Sequence, residues 1–298
     1  MLKNCVLFTL SANQELGKKV AAALGMELSP VSVKRFPSGE IIAESIETVR
    51  GKNVYIIQST CPPVNENLME LLIFVDSLKR SSAAEINVII PYFGYARQDR
   101  KAKPRQPISA RLVADLLKVS GVTRVVTVDL HAPQIQGFFS CLVDELATAP
   151  LYVATFLQDS HFNTKNLVTV SPDHGGVTRA RKIADGLNTP LAIIDKRRNS
   201  RLEPEVMNII GSVEGKDCLI VDDMIDTAGS ACAAADALIN AGAKSVKIIA
   251  THAVLSDPAF ERLSKSKFNQ IIVSDSIPLP ERFKELNCKV ISLSLIHI

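Results

Sequence analysis

The residues best placed to do chemistry lie in Leu219-Ile220-Val221-Asp222-Asp223-Met224-Ile225-Asp226-Thr227-Ala228-Gly229-Ser230. An apolar run ends in two acids, a third acid opens a small hydroxyl-bearing turn, and an Ala-rich segment follows. The run reads as a buried parallel strand and the Ala-rich segment as a helix. The turn then sits at a helix amino end, where unpaired N–H groups and the helix dipole favour a phosphate. The acids before it can accept hydrogen bonds from vicinal hydroxyls. Phosphate and diol together describe a ribose 5-phosphate. Taken alone, Asp-Thr-Ala-Gly is also an ordinary helix cap. The acid pair tips the balance, because adjacent carboxylates repel unless cations or hydroxyls are near.

Further segments carry chemistry of the same kind. Ser171-Pro172-Asp173-His174-Gly175-Gly176 follows another apolar strand. Its glycines let backbone approach a ligand, and Asp173 could hold a divalent cation, although a Gly-rich turn would look the same. His131, in Val128-Asp129-Leu130-His131-Ala132, could meet a metal or a phosphate, or simply be a satisfied histidine. Tyr95–Lys101 is dense in charge, and its arginines suit a polyphosphate or a solvated loop. Asp195-Lys196-Arg197-Arg198 could stabilise a phosphoryl group in transfer, or be a solvated charge run. In Arg35-Phe36-Pro37-Ser38-Gly39-Glu40 the aromatic could stack on a purine or pack in its loop.

Stepping outward, short β-rich runs at 5–10, 53–58, 85–90, 124–128, 167–171, 191–195, 218–221, 245–251 and 270–273 alternate with helical patterns at 67–79, 109–119, 177–187 and 230–241. Such alternation predicts an α/β fold with mainly parallel sheets. The strand signal lapses near Asp144–Pro150, which divides the chain into two similar domains, 1–147 and 148–298. A length of 298 residues and 47% hydrophobic content support packed cores of that size. A net charge of +3 gives no case for nucleic acid or a membrane surface. The six cysteines show no CxxC spacing and read as reduced thiols of a cytoplasmic protein. The amino-terminal apolar run is too short for a signal peptide, and no segment has the length of a membrane span.

With RFPSGE (35–40), PYFGYARQDRK (91–101), VDLHAPQIQGFF (128–139), SPDHGG (171–176), DKRR (195–198) and VDDMIDTAGS (221–230) in this order, the chain resembles the ribose-phosphate pyrophosphokinases nearly end to end. The resemblance implies two domains of the type I phosphoribosyltransferase fold, a homohexamer, Mg²⁺, and transfer of the diphosphoryl group of ATP to the anomeric hydroxyl of ribose 5-phosphate. The products are phosphoribosyl pyrophosphate and AMP, and they feed nucleotide, histidine and tryptophan synthesis. By resemblance, Asp226, Thr227, Ala228, Gly229 and Ser230 bind the 5-phosphate, and Asp222 and Asp223 the ribose hydroxyls. Phe36, Ser38, Gly39, Glu40, Arg97 and Gln98 contact ATP. His131 and Asp173 match metal positions, and Lys196 and Arg198 the catalytic cations, Arg198 also reaching ribose 5-phosphate. A noncatalytic regulatory subunit of the same family is the alternative; the presence of these residues argues against it. A phosphoribosyltransferase that consumes phosphoribosyl pyrophosphate should lack the ATP segments.

The chain departs from the family in two places. Ser38 stands where the family usually has Asp, which predicts altered purine selectivity or ATP affinity. The last six residues, Leu293 to Ile298, match the translation of a transposase adapter used in sequencing libraries. The family continues with a further segment, so these six are expected to carry no function.

Overall fold

The computed structural model describes residues 4–160, 162–197 and 206–295. In chain order the strands are β1 (Cys5–Thr9), β2 (Val31–Arg35), β3 (Ile41–Ser45), β4 (Asn53–Ile57), β5 (Glu85–Ile90), β6 (Arg124–Val128), β7 (Leu142–Leu146), β8 (Leu167–Ser171), β9 (Leu191–Arg197), β10 (Val206–Ile210), β11 (Asp217–Ile225), β12 (Ser245–Ala253), β13 (Gln270–Ser274) and β14 (Cys288–Ile291). The helices are α1 (Gln14–Leu24), α2 (Val64–Arg80), α3 (Ser109–Ser120), α4 (Ala149–Gln158), α5 (Val177–Leu187), α6 (Gly229–Asn240) and α7 (Ala259–Ser264). The expected α/β architecture is present, with parallel pairing dominant in both large sheets.

The chain divides into two compact units: Met1–Ala147 with Ser276–Pro278 and Ser292–Ile298, and Thr148–Asp275 with Leu279–Ile291. The first is built on a parallel sheet in the order β1-β4-β5-β6-β7. Strand β7 occupies Leu142–Leu146, where the sequence pattern leaves no strand. It pairs with β6, and its residues are exposed or only partly buried, so it lacks the apolar run that marks the central strands. A separate hairpin, β2 with β3, is also absent from the sequence reading. Phe8 and Phe74 anchor this unit's core edge to face, with ring centroids 5.1 Å apart.

The second unit carries a seven-stranded sheet, β10-β9-β8-β11-β12-β13-β14, antiparallel only where β10 meets β9. The make-up of β11 shows why its apolar run is continuous. Cys218 and Ile220 enter one hydrophobic cluster, whereas Leu219 and Val221 enter another. Successive side chains of a strand point to opposite faces, so covering both faces demands apolar residues at every position. From β8 the chain first adds β9 on one side and later adds β11 on the other. The carboxyl ends of β8 and β11 therefore flank a topological switch point, where open α/β sheets place ligands.

Candidate functional site

Three of the sequence-derived loops leave neighbouring strands of the second unit at the same sheet end. Asp173–Gly176 follows β8, Lys196 lies at the end of β9, and Asp226–Gly229 follows β11. The acid pair sits inside β11, which runs on to Ile225 instead of stopping at Val221. The extension follows β12, which keeps pairing with it through Asp222–Ala250, Met224–His252 and Ile225–Ala253. Asp223 is buried and Asp222 partly so. Burial first, and the charge of Asp223 second, push the Asp222 carboxyl well above the ordinary range. Two acids share one desolvated place, an arrangement that structural packing alone does not reward.

Arg179, on the first turn of α5, reaches both acids. Its Nη1 lies 3.6 Å from Asp223 Oδ1 and 3.9 Å from Asp222 Oδ1. Beyond the acids, the turn enters α6 through Ala228, a non-glycine residue at φ 60°. Ala228, the cap residue, makes no side-chain bond to α6, and the helix's first turn holds no acid. The leading N–H groups of a helix lack intrahelical partners and favour an anion. Arg262 Nη1 donates to the Thr227 carbonyl at 2.9 Å, bringing a guanidinium to the turn. Sequence periodicity flags neither arginine, because each meets the site through long-range packing.

The SPDHGG turn is held by its own acid. Asp173 Oδ1 accepts the Gly176 N–H at 2.9 Å, and Ser171 Oγ donates to the Asp173 carbonyl at 2.7 Å. His174 Nε2 lies 2.9 Å from Asp195 Oδ1, which links this turn to the end of β9. Lys196 belongs to β9, opposite Met207 of β10. Arg198 lies outside the described residues.

In the first unit, Phe36, Ser38, Gly39 and Glu40 share the turn of the β2–β3 hairpin. Gly39 takes φ +90°, a conformation glycine adopts cheaply. Ser38 Oγ donates to Glu40 Oε2 at 2.8 Å, and Phe36 is 49% exposed, a ring presented to solvent. The end of β2 next to this turn is clamped to α2, where Arg35 meets Glu66 at 2.8 Å and the fully buried Glu70 at 3.3 Å. Glu70 also accepts the Ser11 N–H at 2.8 Å, so its charge is hydrogen-bonded. Arg97 and Gln98 are exposed in the segment after β5. That segment is tied to the same end of α2 by the Tyr95 hydroxyl, which donates to Asn65. Gln98 also anchors α3: its carbonyl accepts the Ala110 N–H at 3.2 Å, and its side chain accepts from Ser109. Both segments read as ATP contacts are therefore fixed to one helical turn, Asn65-Glu66.

His131 is exposed in the turn after β6, where the Leu130 N–H donates to Glu145 at 2.9 Å. Among the described residues no three His, Cys, Asp or Glu side chains converge as a metal cage. His131 in the first unit and Asp173 in the second are each exposed. No helix among the described residues is long and apolar enough to cross a membrane.

Comparison with known proteins matches residues 5–121 to the N-terminal domain of ribose phosphate pyrophosphokinase and residues 143–281 to a phosphoribosyl transferase domain. A ribose-phosphate pyrophosphokinase of Fusobacterium nucleatum is 54% identical over 97% of this chain and 92% of its own length. One of Bacillus subtilis is 53% identical over 96% and 90%. Among solved structures, phosphoribosylpyrophosphate synthetase from Mycobacterium smegmatis superimposes with a TM-score of 0.92 at 43% identity, covering 98% of this chain and 95% of that one.

Proposed function

This chain belongs to the ribose-phosphate pyrophosphokinase family, and on that premise we propose how its residues divide the work of the reaction. The enzyme transfers the diphosphoryl group of ATP to the anomeric hydroxyl of ribose 5-phosphate. A bond forms between that oxygen and the β-phosphorus. The bond from the β-phosphorus to the oxygen it shares with the α-phosphate breaks, and AMP leaves. The observation that carries the reading is the β11–α6 turn, where buried acids precede a helix amino end with no acid in its first turn.

Asp222 and Asp223 accept hydrogen bonds from the ribose 2- and 3-hydroxyls, and the N–H groups of Asp226–Ser230 take the 5-phosphate. The exposed Phe36 ring stacks on adenine. Ser38 and Glu40 meet the base's polar edge, with serine in place of a charged partner. Arg97 and Gln98 hold the triphosphate. Lys196 and Arg198 place positive charge where the transition state gathers negative charge on the diphosphoryl group and leaving AMP. When bound, Mg²⁺ neutralises phosphate charge and lowers the pKa of the attacking hydroxyl. His131 and Asp173 are the side chains proposed to hold it. The protein is further read as a cytoplasmic homohexamer, in keeping with its family.

A charge acting only in the transition state leaves a specific kinetic mark. Lys196→Ala is expected to lower kcat strongly while leaving the KM values for ATP and ribose 5-phosphate nearly unchanged. Equal losses in kcat and in substrate binding would assign Lys196 to ground-state binding instead.

A further inference from the structure

Helix α2 carries a carboxylate at a position that an apolar side chain would fill more cheaply. Glu70 is fully buried, as are Leu68, Leu71 and Phe74 of the same helix. Desolvating a carboxylate is costly. Glu66 stands one turn earlier, and like charges four residues apart weaken a helix. One guanidinium offsets both penalties. Arg35 Nη1 lies 2.8 Å from Glu66 Oε2 and its Nη2 lies 3.3 Å from Glu70 Oε2, so the two acids fork a single cation. The other oxygen of Glu70 accepts the Ser11 N–H at 2.8 Å and the Gln58 side-chain amide at 3.4 Å. Glu70 therefore ties the end of β2 to the loop before α1 and to the end of β4.

The apolar anchorage of the β2–β3 hairpin is slight, for of its strand residues only Ala43 is buried. Its turn is closed on itself. The Phe36 N–H donates to the Glu40 carbonyl and the Gly39 N–H to the Phe36 carbonyl, each at 2.8 Å. Such a turn moves as a body, and its direction is set at Arg35, the residue that precedes Phe36. We infer that Glu70 is a positioning residue for ATP, acting through Arg35 to hold the Phe36 ring where adenine stacks. The inference rests on the reading that this ring receives the adenine.

The test measures Tm, and kcat and KM for both substrates, in wild type, Arg35→Met, the pair Arg35→Met with Glu70→Gln, Arg35→Lys and Phe36→Ala. Arg35→Met strands a buried carboxylate, so Tm should fall by several degrees. The paired variant removes both charges at similar volume, and glutamine still accepts the Ser11 N–H. Its Tm should return to within about 2 °C of wild type. Both variants should nonetheless raise KM for ATP by about tenfold, the loss expected when one base stack is weakened. KM for ribose 5-phosphate should change by less than about twofold. An ion pair that serves the fold alone gives another pattern. KM for ATP then recovers with Tm in the paired variant, and partial unfolding lowers kcat without raising KM. That pattern would overturn the inference. If the paired variant does not fold, Arg35→Lys decides. One ammonium cannot fork both acids, so KM for ATP should rise by at least about threefold, and a wild-type value would overturn the inference. Phe36→Ala separates the two levels. If it leaves KM for ATP unchanged, the adenine reading fails. If it raises KM while the paired variant matches wild type, only the role of Glu70 fails.

Discussion

Replacing Gly94 with alanine should damage ATP use while sparing ribose 5-phosphate binding. Gly94 lies between the buried Phe93 and the start of the Tyr95–Gln98 turn, and its N–H donates to Thr60 Oγ1 at 2.6 Å. A Cβ built there meets the Thr60 carbonyl oxygen at 2.5 Å, Val64 Cγ1 at 3.0 Å and Thr60 Oγ1 at 3.1 Å. The first contact falls about 0.9 Å short of the 3.4 Å where ordinary packing begins. The clashing atom is backbone, and the Thr60 N–H is itself bonded to the Tyr92 carbonyl at 2.9 Å, so neither side can swing away. The strain should cost about 1–3 kcal/mol of stability. For a chain of this size that means a fall in Tm of several degrees. The remaining strain is relieved by moving the turn that carries Arg97 and Gln98. A displacement near 1 Å in a positioning segment can cost about a hundredfold in rate, so kcat/KM for ATP should fall by about ten- to a hundredfold. The assay is steady-state kinetics with each substrate varied, alongside thermal melting. Gly137→Ala, whose new Cβ meets nothing within 4 Å, is the control and should behave as wild type. A Gly94→Ala protein with wild-type melting would refute the packing argument. One that melts early yet keeps its KM for ATP would refute the assignment of Arg97 and Gln98.

The loop on the other substrate makes its own predictions. Asp222→Asn should abolish ribose binding yet stabilise the fold by about 1–2 kcal/mol at neutral and alkaline pH. The sign follows from the carboxyl being raised above its ordinary 3.8 in the folded state. Its penalty is absent below about that value and grows as pH rises toward the folded pKa. Melting curves of both proteins at acid and alkaline pH check this, and a gain that is equal at both would contradict it. Ala228→Val places a β-branched side chain at φ 60° in a buried turn and should cost about 2 kcal/mol with a raised KM for ribose 5-phosphate. Ala228→Gly should be nearly neutral, since relief of strain offsets the greater freedom of the unfolded chain. Arg262→Gln, which weakens the hold on the Thr227 carbonyl, should raise KM for ribose 5-phosphate by about three- to tenfold and leave ATP untouched.

The central strands are legible in the sequence because burial on both faces makes them continuous apolar runs, as in Cys218–Val221. The hairpin β2–β3 is not legible, since Val31–Arg35 is a short run with no fully buried residue. Helix α1 is written more faintly: Asn13 caps it through the Leu16 N–H, and Gly25 ends it at φ 63°. Its two ends carry signals, but its face is mostly small residues and lysines. The extent of β11 could not be read locally, because the acid pair stays in the strand through its partner β12, a pairing set by a remote segment. The same limit applies to Arg179 and Arg262. Each is one cation among many in its own segment, and only the packing of α5 and α7 brings it to the acids and the Asp226–Gly229 turn. Local loop chemistry is thus visible in sequence, whereas the charges that tune it are not.

The most direct test of the account follows adenine nucleotides and phosphoribosyl pyrophosphate together in one reaction of the purified protein with ATP, Mg²⁺ and ribose 5-phosphate. The account predicts AMP and phosphoribosyl pyrophosphate in equal amounts, with neither formed when ribose 5-phosphate is omitted or the metal is chelated. Formation of ADP in place of AMP, or of AMP without ribose 5-phosphate, would contradict it.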